Sequence, residues 1–178
     1  SYNLAQLFNI EYQYDSMGNR TKMTVKESTG TPKTINYYYN ANHQMTKMTS
    51  DMGNFTFVYD SLGRRIKRPL PNDTVTSYSY DPLNRLINIT HKNAFQHTID
   101  SFSYAYDHAG NRTVKKDNHK SIHYSYDPIY RLTRATPQGH HGYNHPDHSS
   151  GFKTELYSYD PVGNRITGPD QYDRYTYN

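Results

Sequence analysis

The sequence contains no cysteine and no apolar run of the roughly 18 residues that would suggest a membrane span. Without cysteine, the chain can form neither disulfides nor thiolate metal sites. Only 33% of the 178 residues are hydrophobic, and 20 of the residues counted in that fraction are tyrosines. A conventional core of Leu, Ile and Val therefore cannot be built. Any core has to consist of stacked tyrosine rings, which bury an apolar ring and need a partner for the hydroxyl.

Positive charge is in slight excess, with a net charge of +4, and it is spread along the chain as isolated Lys and Arg. The densest runs are Arg64-Arg65 and Lys115-Lys116. Because nucleic-acid binding usually needs a concentrated basic patch, no nucleic-acid partner is predicted. Residues 1–15 lack the basic start and long apolar segment of a signal peptide, so any export signal is expected outside this chain.

A short motif, Tyr-x-Tyr-Asp, recurs along the whole chain. We call the Asp or Asn that ends each copy the anchor. The anchors are Asp15, Asn40, Asp60, Asp81, Asp107, Asp127, Asp160 and Asn178, with spacings of 25, 20, 21, 26, 20, 33 and 18 residues. This period predicts one repeat array over residues 1–178, with seven repeats and an eighth that stops at its anchor. Each unit is expected to be stabilised by its neighbours.

Two aromatic residues precede every anchor, one directly before it and one two residues earlier. Since alternate strand residues share a face, both rings of a pair lie on one face of a strand. The pairs predict a structural aromatic ladder made of Tyr12, Tyr14, Tyr37, Tyr39, Phe57, Tyr59, Tyr78, Tyr80, Tyr104, Tyr106, Tyr124, Tyr126, Tyr157, Tyr159, Tyr175 and Tyr177.

The residues after each anchor have the composition of a tight turn. In Asp160-Pro161-Val162-Gly163, Asp begins a type I turn, Pro presets φ at the second position, and Gly supplies a positive φ at the fourth. Such a turn followed by a left-handed bulge residue closes a short hairpin, so each repeat is predicted to be strand, turn, strand.

The repeats alternate between two forms. The long form has Gly three residues and Arg five residues after the anchor, as in Asp15/Gly18/Arg20, Asp60/Gly63/Arg65, Asp107/Gly110/Arg112 and Asp160/Gly163/Arg165. The short form lacks this Gly and has its polar partner four residues after the anchor, as in Asn40/Gln44, Asp81/Arg85 and Asp127/Arg131. We expect a bulge to absorb the one-residue difference and to keep Arg on the same face in both forms. Because the neutral anchor Asn40 occurs with the neutral Gln44, we also expect direct Asp–Arg contact.

The longest interval between anchors predicts a His- and Gly-rich inserted loop at residues 136–153. It contains His140, His141, His145 and His148, which are weak candidates for metal ligands. A solvated loop is the preferred interpretation, so neither a metal nor a cofactor is predicted. No nucleophile elbow, Ser/His/Asp arrangement or phosphate-binding loop is present, and no catalytic residue is predicted.

The pattern Y-x-Y-D-x-x-G-N/R-R resembles the YD repeat, also called the RHS repeat, over residues 12–178. This repeat occurs in bacterial Rhs polymorphic toxins, shell subunits of insecticidal toxin complexes, wall-associated proteins and animal teneurins. The resemblance implies a long β-ribbon that spirals into a hollow shell with aromatic rings inside, enclosing a toxin. Rhs toxins usually continue into a self-cleaving segment and a toxin domain, and neither is found here. The DPxG sequence at 160–163 is interpreted as an ordinary turn.

These patterns predict an all-β fold of stacked antiparallel hairpins that form a continuous twisted or spiralling sheet. The predicted function is a non-enzymatic wall segment of a secreted or surface bacterial protein that encloses a toxin cargo. The alternative is a self-stacking extracellular filament or adhesin without cargo, and sugar binding by the tyrosines is a lesser option. The expected partners are neighbouring repeats of the same or adjoining chains and an encapsulated toxin domain, with no nucleic acid and no membrane span.

Overall fold

The computed structural model describes residues 9–27, 30–139 and 153–168. Every regular element in these ranges is a β-strand. The strands are β1 (Asn9–Tyr14), β2 (Arg20–Lys26), β3 (Lys33–Tyr39), β4 (Met45–Ser50), β5 (Gly53–Thr56), β6 (Val58–Tyr59), β7 (Arg65–Pro69), β8 (Val75–Tyr80), β9 (Leu86–Lys92), β10 (Thr98–Tyr106), β11 (Arg112–Lys116), β12 (Lys120–Tyr126), β13 (Leu132–Gly139) and β14 (Glu155–Leu156). The part of the chain described here holds no helix long and apolar enough to cross a membrane.

Strands that are neighbours in sequence are also neighbours in the sheet. Hydrogen bonds order β1 to β5 in one sheet and β6 to β14 in a second, and the pairings given for these strands are antiparallel. The predicted all-β fold of stacked antiparallel hairpins is therefore confirmed. The chain divides into two compact units, a first unit of residues 1–78 and 91–99 and a second unit of residues 79–90 and 100–178.

The strand pairing is interrupted at Phe57, in the first unit. Phe57 N donates to Thr46 O at 2.9 Å, so pairing with β4 continues one residue beyond β5. From Val58 onward the same segment pairs with β7 instead. Residues 53–59 thus exchange one partner strand for the next, which accounts for the assignment of two sheets.

All seven described anchors close the same turn. The anchor N–H donates to the carbonyl four residues later, and the N–H three residues after the anchor donates back to the anchor carbonyl. The residue three after the anchor always has a positive φ, and it is Gly18, Gly63, Gly110 or Gly163 in the long form and His43, Asn84 or Tyr130 in the short form. A β-bulge follows in both forms, for example where Tyr14 pairs with Arg20 and where Tyr126 pairs with Leu132.

Because the turns are the same, the two forms do not differ in length by one residue. The expectation that a bulge compensates for such a difference is therefore wrong. The register is the same in both, so the Arg of the long form and the Arg of the short form occupy adjacent positions rather than equivalent ones. The reason is that a left-handed residue is required in every turn. Gly takes that conformation freely, whereas another residue takes it at a cost of roughly 1–2 kcal/mol.

Two further turns of the same type were not predicted. They begin at Leu70 and Asn93, with positive φ at Asp73 and Gln96. These turns connect β7 to β8 and β9 to β10, which is the return connection between repeats. They lack the Tyr-x-Tyr motif, so the motif search could not find them.

The predicted loop at 136–153 starts later than expected. Residues 136–139 continue β13 and pair with β12, with Thr136 opposite His123 and Gly139 opposite Lys120. Backbone pairing with the long neighbouring strand outweighs the turn-forming composition of Pro137 and Gly139. His140, His141, His145 and His148 lie outside the described residues.

The expected tyrosine core is a thin one. Among the described hydrophobic residues only Tyr37 and Ala135 are buried, while most ladder rings are half-buried. The rings at the first strand are largely open, with Tyr14 61% exposed. Within each unit the described rings are shielded mainly by cross-strand neighbours, such as Arg20 beside Tyr37 and Arg112 beside Tyr124.

Candidate functional site: anchored turns and aromatic ladder

Each anchor side chain organises its own turn. One carboxylate or amide oxygen accepts the N–H groups two and four residues later in most of the turns, as Asp81 Oδ1 does from Leu83 N and Arg85 N at 2.9 Å each. The anchor side chain also bonds the side chain four residues later. These pairs are Asp15–Asn19, Asn40–Gln44, Asp60–Arg64, Asp81–Arg85, Asp107–Asn111, Asp127–Arg131 and Asp160–Asn164.

Direct Asp–Arg contact therefore exists, but it lies within one turn. Arg64, Arg85 and Arg131 each place Nε 2.6–2.7 Å from the anchor carboxylate four residues earlier. The predicted partners Arg20, Arg65, Arg112 and Arg165 of the long form stand one residue further on and contact rings instead. Sequence reasoning paired the long-form anchors with the wrong residue because it assumed two different turns.

The long-form arginines lie over the aromatic ladder. Arg20 lies over Tyr37 at 4.6 Å and over Tyr12 at 5.5 Å from the ring centroids. Arg112 is placed in the same way over Tyr124 and Tyr104, at 5.0 and 5.7 Å. Such contacts stabilise by roughly 0.5–1 kcal/mol at exposed sites. Each of these two guanidinium groups thus connects the ring of its own repeat with the ring of the next.

The short-form partners reach the following turn. Gln44 Nε2 donates to Gly63 O at 2.7 Å, and Arg85 donates through a terminal nitrogen to Asp107 O at 2.8 Å. Arg85 also lies over Tyr106 at 4.9 Å. Short and long forms alternate, so each of these short-form side chains, within its own unit, ties its turn to the long-form turn that follows.

The tyrosine directly before the anchor forms a second link between repeats. Its hydroxyl donates to the backbone carbonyl five residues after the preceding anchor. The bonds are Tyr39–Arg20, Tyr59–Met45, Tyr106–Leu86, Tyr126–Arg112 and Tyr159–Leu132, at 2.7–2.9 Å. Sequence reasoning missed this bond. Its signal is that this position is Tyr in all eight copies, whereas the other ladder position includes Phe57.

Removing one hydroxyl is expected to affect stability differently at the two ladder positions of a repeat. Tyr106→Phe loses the bond to Leu86 O, so the free energy of unfolding should fall by about 1 kcal/mol. Tyr104→Phe is the matched control from the same repeat and should be nearly neutral. Urea denaturation measures both, and equal effects of the two substitutions would contradict the assigned role of the bond.

The anchor carboxyls have lowered pKa values. In Asp107 the side-chain bond from Asn111 is the main cause, and N–H groups of the turn add to it. In Asp81 and Asp127 desolvation opposes the shift, but bonds from the Arg side chain and backbone four residues later outweigh it. The Asp anchors with lowered pKa values are therefore ionised in the folded protein at neutral pH.

Acid is expected to weaken the array through these carboxyls. A pKa below the unfolded value of 3.8 means that the stabilisation is present above pH 3.8 and is lost as the pH falls through the folded pKa. Thermal denaturation should therefore show a nearly constant midpoint from pH 7 to 5 and a decline below about pH 4. Asp107→Asn copies the natural anchor Asn40 and should reduce this decline. An unchanged acid response would contradict the assignment.

Burial raises the pKa of the Tyr104 and Tyr126 hydroxyls. Burial and the bond to Glu155 raise the pKa of Tyr157 to about 12. These described ladder tyrosines therefore stay neutral at physiological pH, and their hydroxyls can donate hydrogen bonds.

Two further parts of the predicted site concern a metal centre and the C-terminal ladder residues. In the described ranges no group of three or more His, Asp or Glu side chains is arranged to hold a metal ion. Tyr175, Tyr177 and Asn178 lie outside those ranges, as do the four candidate histidines.

Comparison with known proteins supports the resemblance drawn from the motif. The RHS Repeat family model matches residues 59–95. The solved Tc holotoxin pore of Photorhabdus luminescens matches 94% of this chain with a TM-score of 0.67 at 20% identity, and the match covers 9% of that chain. The TcdB2–TccC3 complex matches 91% of this chain with a TM-score of 0.56 at 19% identity, over 12% of that chain. This chain carries YD repeats, also called RHS repeats. At these identities the structural likeness shows a shared fold.

Curated relatives of the YD-repeat chain come from Bacillus. The tRNA nuclease WapA of Bacillus subtilis strain 168 and the tRNA3(Ser)-specific nuclease WapA of Bacillus spizizenii are each 34% identical to it over 119 residues. The aligned region is 66% of this chain but only 4% of either relative. The YD-repeat chain thus matches a small portion of much longer proteins.

Proposed function

We propose that this chain is a wall segment of a secreted or surface-located bacterial YD-repeat protein, and that its aromatic face lines a compartment holding a toxin cargo. The observation that carries this proposal is that neighbouring repeats are bonded to one another, while the aromatic face of the described strands is left half-exposed.

The links between repeats suit a wall. Tyr106 bonds the carbonyl of Leu86 in the preceding repeat, and Arg85 bonds the carbonyl of Asp107 in the following one. Stability of this kind adds up from neighbour to neighbour and needs no closed core. A sheet built in this way can be extended over a large surface by adding repeats.

The aromatic face suits a lining. Several ladder hydroxyls are already engaged with backbone carbonyls, and long-form guanidinium groups lie over rings. Such a face offers apolar contact with few free polar groups, so it can cover a polypeptide without requiring a particular sequence in it.

The segment itself is proposed to be non-enzymatic. Its relatives are named as nucleases, but this chain corresponds to 4% of their length. Incubation of the purified 178-residue chain with total tRNA is expected to leave the tRNA intact on a denaturing gel. Cleavage that survives further purification would contradict the proposal.

The cargo proposal is tested on the intact gene product. Negative-stain electron micrographs are expected to show closed hollow particles, and limited proteolysis is expected to spare a polypeptide enclosed within them. Acid below about pH 4, which weakens the anchors, should make that polypeptide digestible by an acid-active protease. Extended fibres, or a chain digested equally before and after acid, would instead support a filament without cargo.

A further inference from the structure

Three lysines form a row on the face opposite the aromatic ladder, in the first unit. Lys22, Lys47 and Lys67 each stand seven residues after an anchor. They pair across the strands with Gln13, Tyr38 and Val58, respectively. Each of these partners lies between two ladder residues in its strand, so it points to the opposite face. We call Lys22, Lys47 and Lys67 the lysine row.

The lysine row has a regular spacing. Lys22 lies in β2 and Lys47 in β4, with β3 between them. Residues 53–59 separate Lys47 from Lys67 in the same way, because Thr56 pairs with Lys47 and Val58 pairs with Lys67. Strands two apart in a sheet are about 10 Å apart, so the row presents one cation roughly every 10 Å.

The charge of the row is not neutralised by neighbours. The acidic residue on this face of β1 to β4 is Glu11, and it forms a salt bridge with Lys26. Lys47 lies over the Tyr38 ring at 5.7 Å, a contact that leaves its charge in place. None of the three row lysines has an ion pair among the described residues.

The net positive charge of the chain is concentrated in the unit that carries the row. Residues 1–78 and 91–99 hold ten Lys and Arg against six Asp and Glu, a net charge of +4. Residues 79–90 and 100–178 hold ten of each, a net charge of zero. At the positions equivalent to the row, the second unit has Asn88, Val114 and Arg134.

Each row lysine also lies opposite a neutral polar residue on the following strand. The cross-strand partners on the following strand are Asn36 for Lys22, Thr56 for Lys47 and Ser77 for Lys67. A point cation beside a small hydroxyl or amide donor is a suitable environment for a phosphate oxygen. The arrangement repeats three times along the row.

We propose that the lysine row binds a linear poly(polyol phosphate), a polymer with one phosphodiester charge per unit and no bases. Charge complementarity over a repeating row of cations supports this partner. The inference does not depend on what the aromatic ladder covers, because the row lies on the other face.

A single-stranded nucleic acid fits the row less well. Such ligands are held by bases stacked on open aromatic rings beside a basic groove. The ring beside the row is Tyr38, and Lys47 already lies over it. The other rings next to it in the strand, Tyr37 and Tyr39, belong to the opposite face.

The test measures binding of a fluorescent poly(glycerol phosphate) oligomer to the 178-residue chain at low salt. Replacing all three row lysines by Gln is expected to weaken binding at least tenfold and to reduce the slope of log K against log salt by about 2, from three contacts at roughly 0.7 each. Lys33→Gln, Lys116→Gln and Lys120→Gln together change the net charge equally and should alter binding less than twofold. Replacing all three row lysines by Arg should preserve binding of the oligomer.

Several outcomes would overturn the proposal. Absence of binding would do so, as would equal weakening in the row variant and the control variant. Binding of oligothymidylate or heparin as tight as that of poly(glycerol phosphate) would assign the row to another polyanion. Far-UV circular dichroism of each variant confirms that the sheet is intact before binding is compared.

Discussion

Replacing Tyr104 and Tyr106 together by Ser is expected to lower the free energy of unfolding by about 4 kcal/mol. Each half-buried ring contributes about 1.5 kcal/mol through apolar burial. The bond from the Tyr106 hydroxyl to Leu86 O adds about 1 kcal/mol. Against a total stability of roughly 5–15 kcal/mol, such a loss removes a large share of the stability of the array.

The loss should spread beyond the altered strand. Tyr104 shares the guanidinium of Arg112 with Tyr124, and Tyr106 links to Leu86. Hydrogen exchange should therefore become faster in β9, β11 and β12 as well as in β10. Urea denaturation followed by circular dichroism gives the change in stability.

A matched control uses Tyr38 and Tyr130, the two tyrosines within the described ranges that lie outside the ladder. They are 49% and 64% exposed. Their replacement by Ser changes composition equally and should cost about 1 kcal/mol or less in total. If both double variants unfold at the same urea concentration, packing within the ladder does not stabilise the array.

Gly53→Ala is expected to cost about 3 kcal/mol. Gly53 has a φ of +111°, which a side chain rarely adopts. A Cβ at this position would lie 2.7 Å from Cβ and 3.1 Å from Cγ of Pro71. Both strain and collision oppose the substitution, and the Pro71 ring cannot rotate away as a flexible side chain could.

Gly110→Ala separates these two contributions. Gly110 has a φ of +92°, but no atom lies within 4 Å of an added Cβ. The variant should therefore lose only the roughly 1–2 kcal/mol of a left-handed alanine. Thermal denaturation of both proteins provides the comparison. An equal loss in the two variants would show that contact with Pro71 has no part in the effect.

Much of the fold could be predicted because its signals are local. Alternation of Tyr12 and Tyr14 is enough to place both rings on one face, and Asp160 with Gly163 is enough to place a turn. The errors arose where a conclusion depended on register. Arg85 and Arg112 were treated as equivalent, but Arg85 forms a salt bridge with an anchor carboxylate, whereas Arg112 lies over the rings of two successive repeats.

The same limit applies to the links between repeats. Tyr106 bonds Leu86 O, and Arg85 bonds Asp107 O. Whether these groups meet depends on the register of each strand against its neighbour. The bulges beside Asp15, Asn40, Asp60, Asp107 and Asp127 set this register, and in the short form they leave no signal in the sequence.

By itself, the sequence determined the hairpins at the anchors, the positions of their turns and the common face of their rings. Each of these follows from the two-residue period of a strand and from turn residues a few positions apart. The tertiary structure alone decided which groups meet between repeats, how far the rings stay open to solvent, and that the lysines align on the other face. Those features depend on cross-strand register, which is set by contacts distant in sequence.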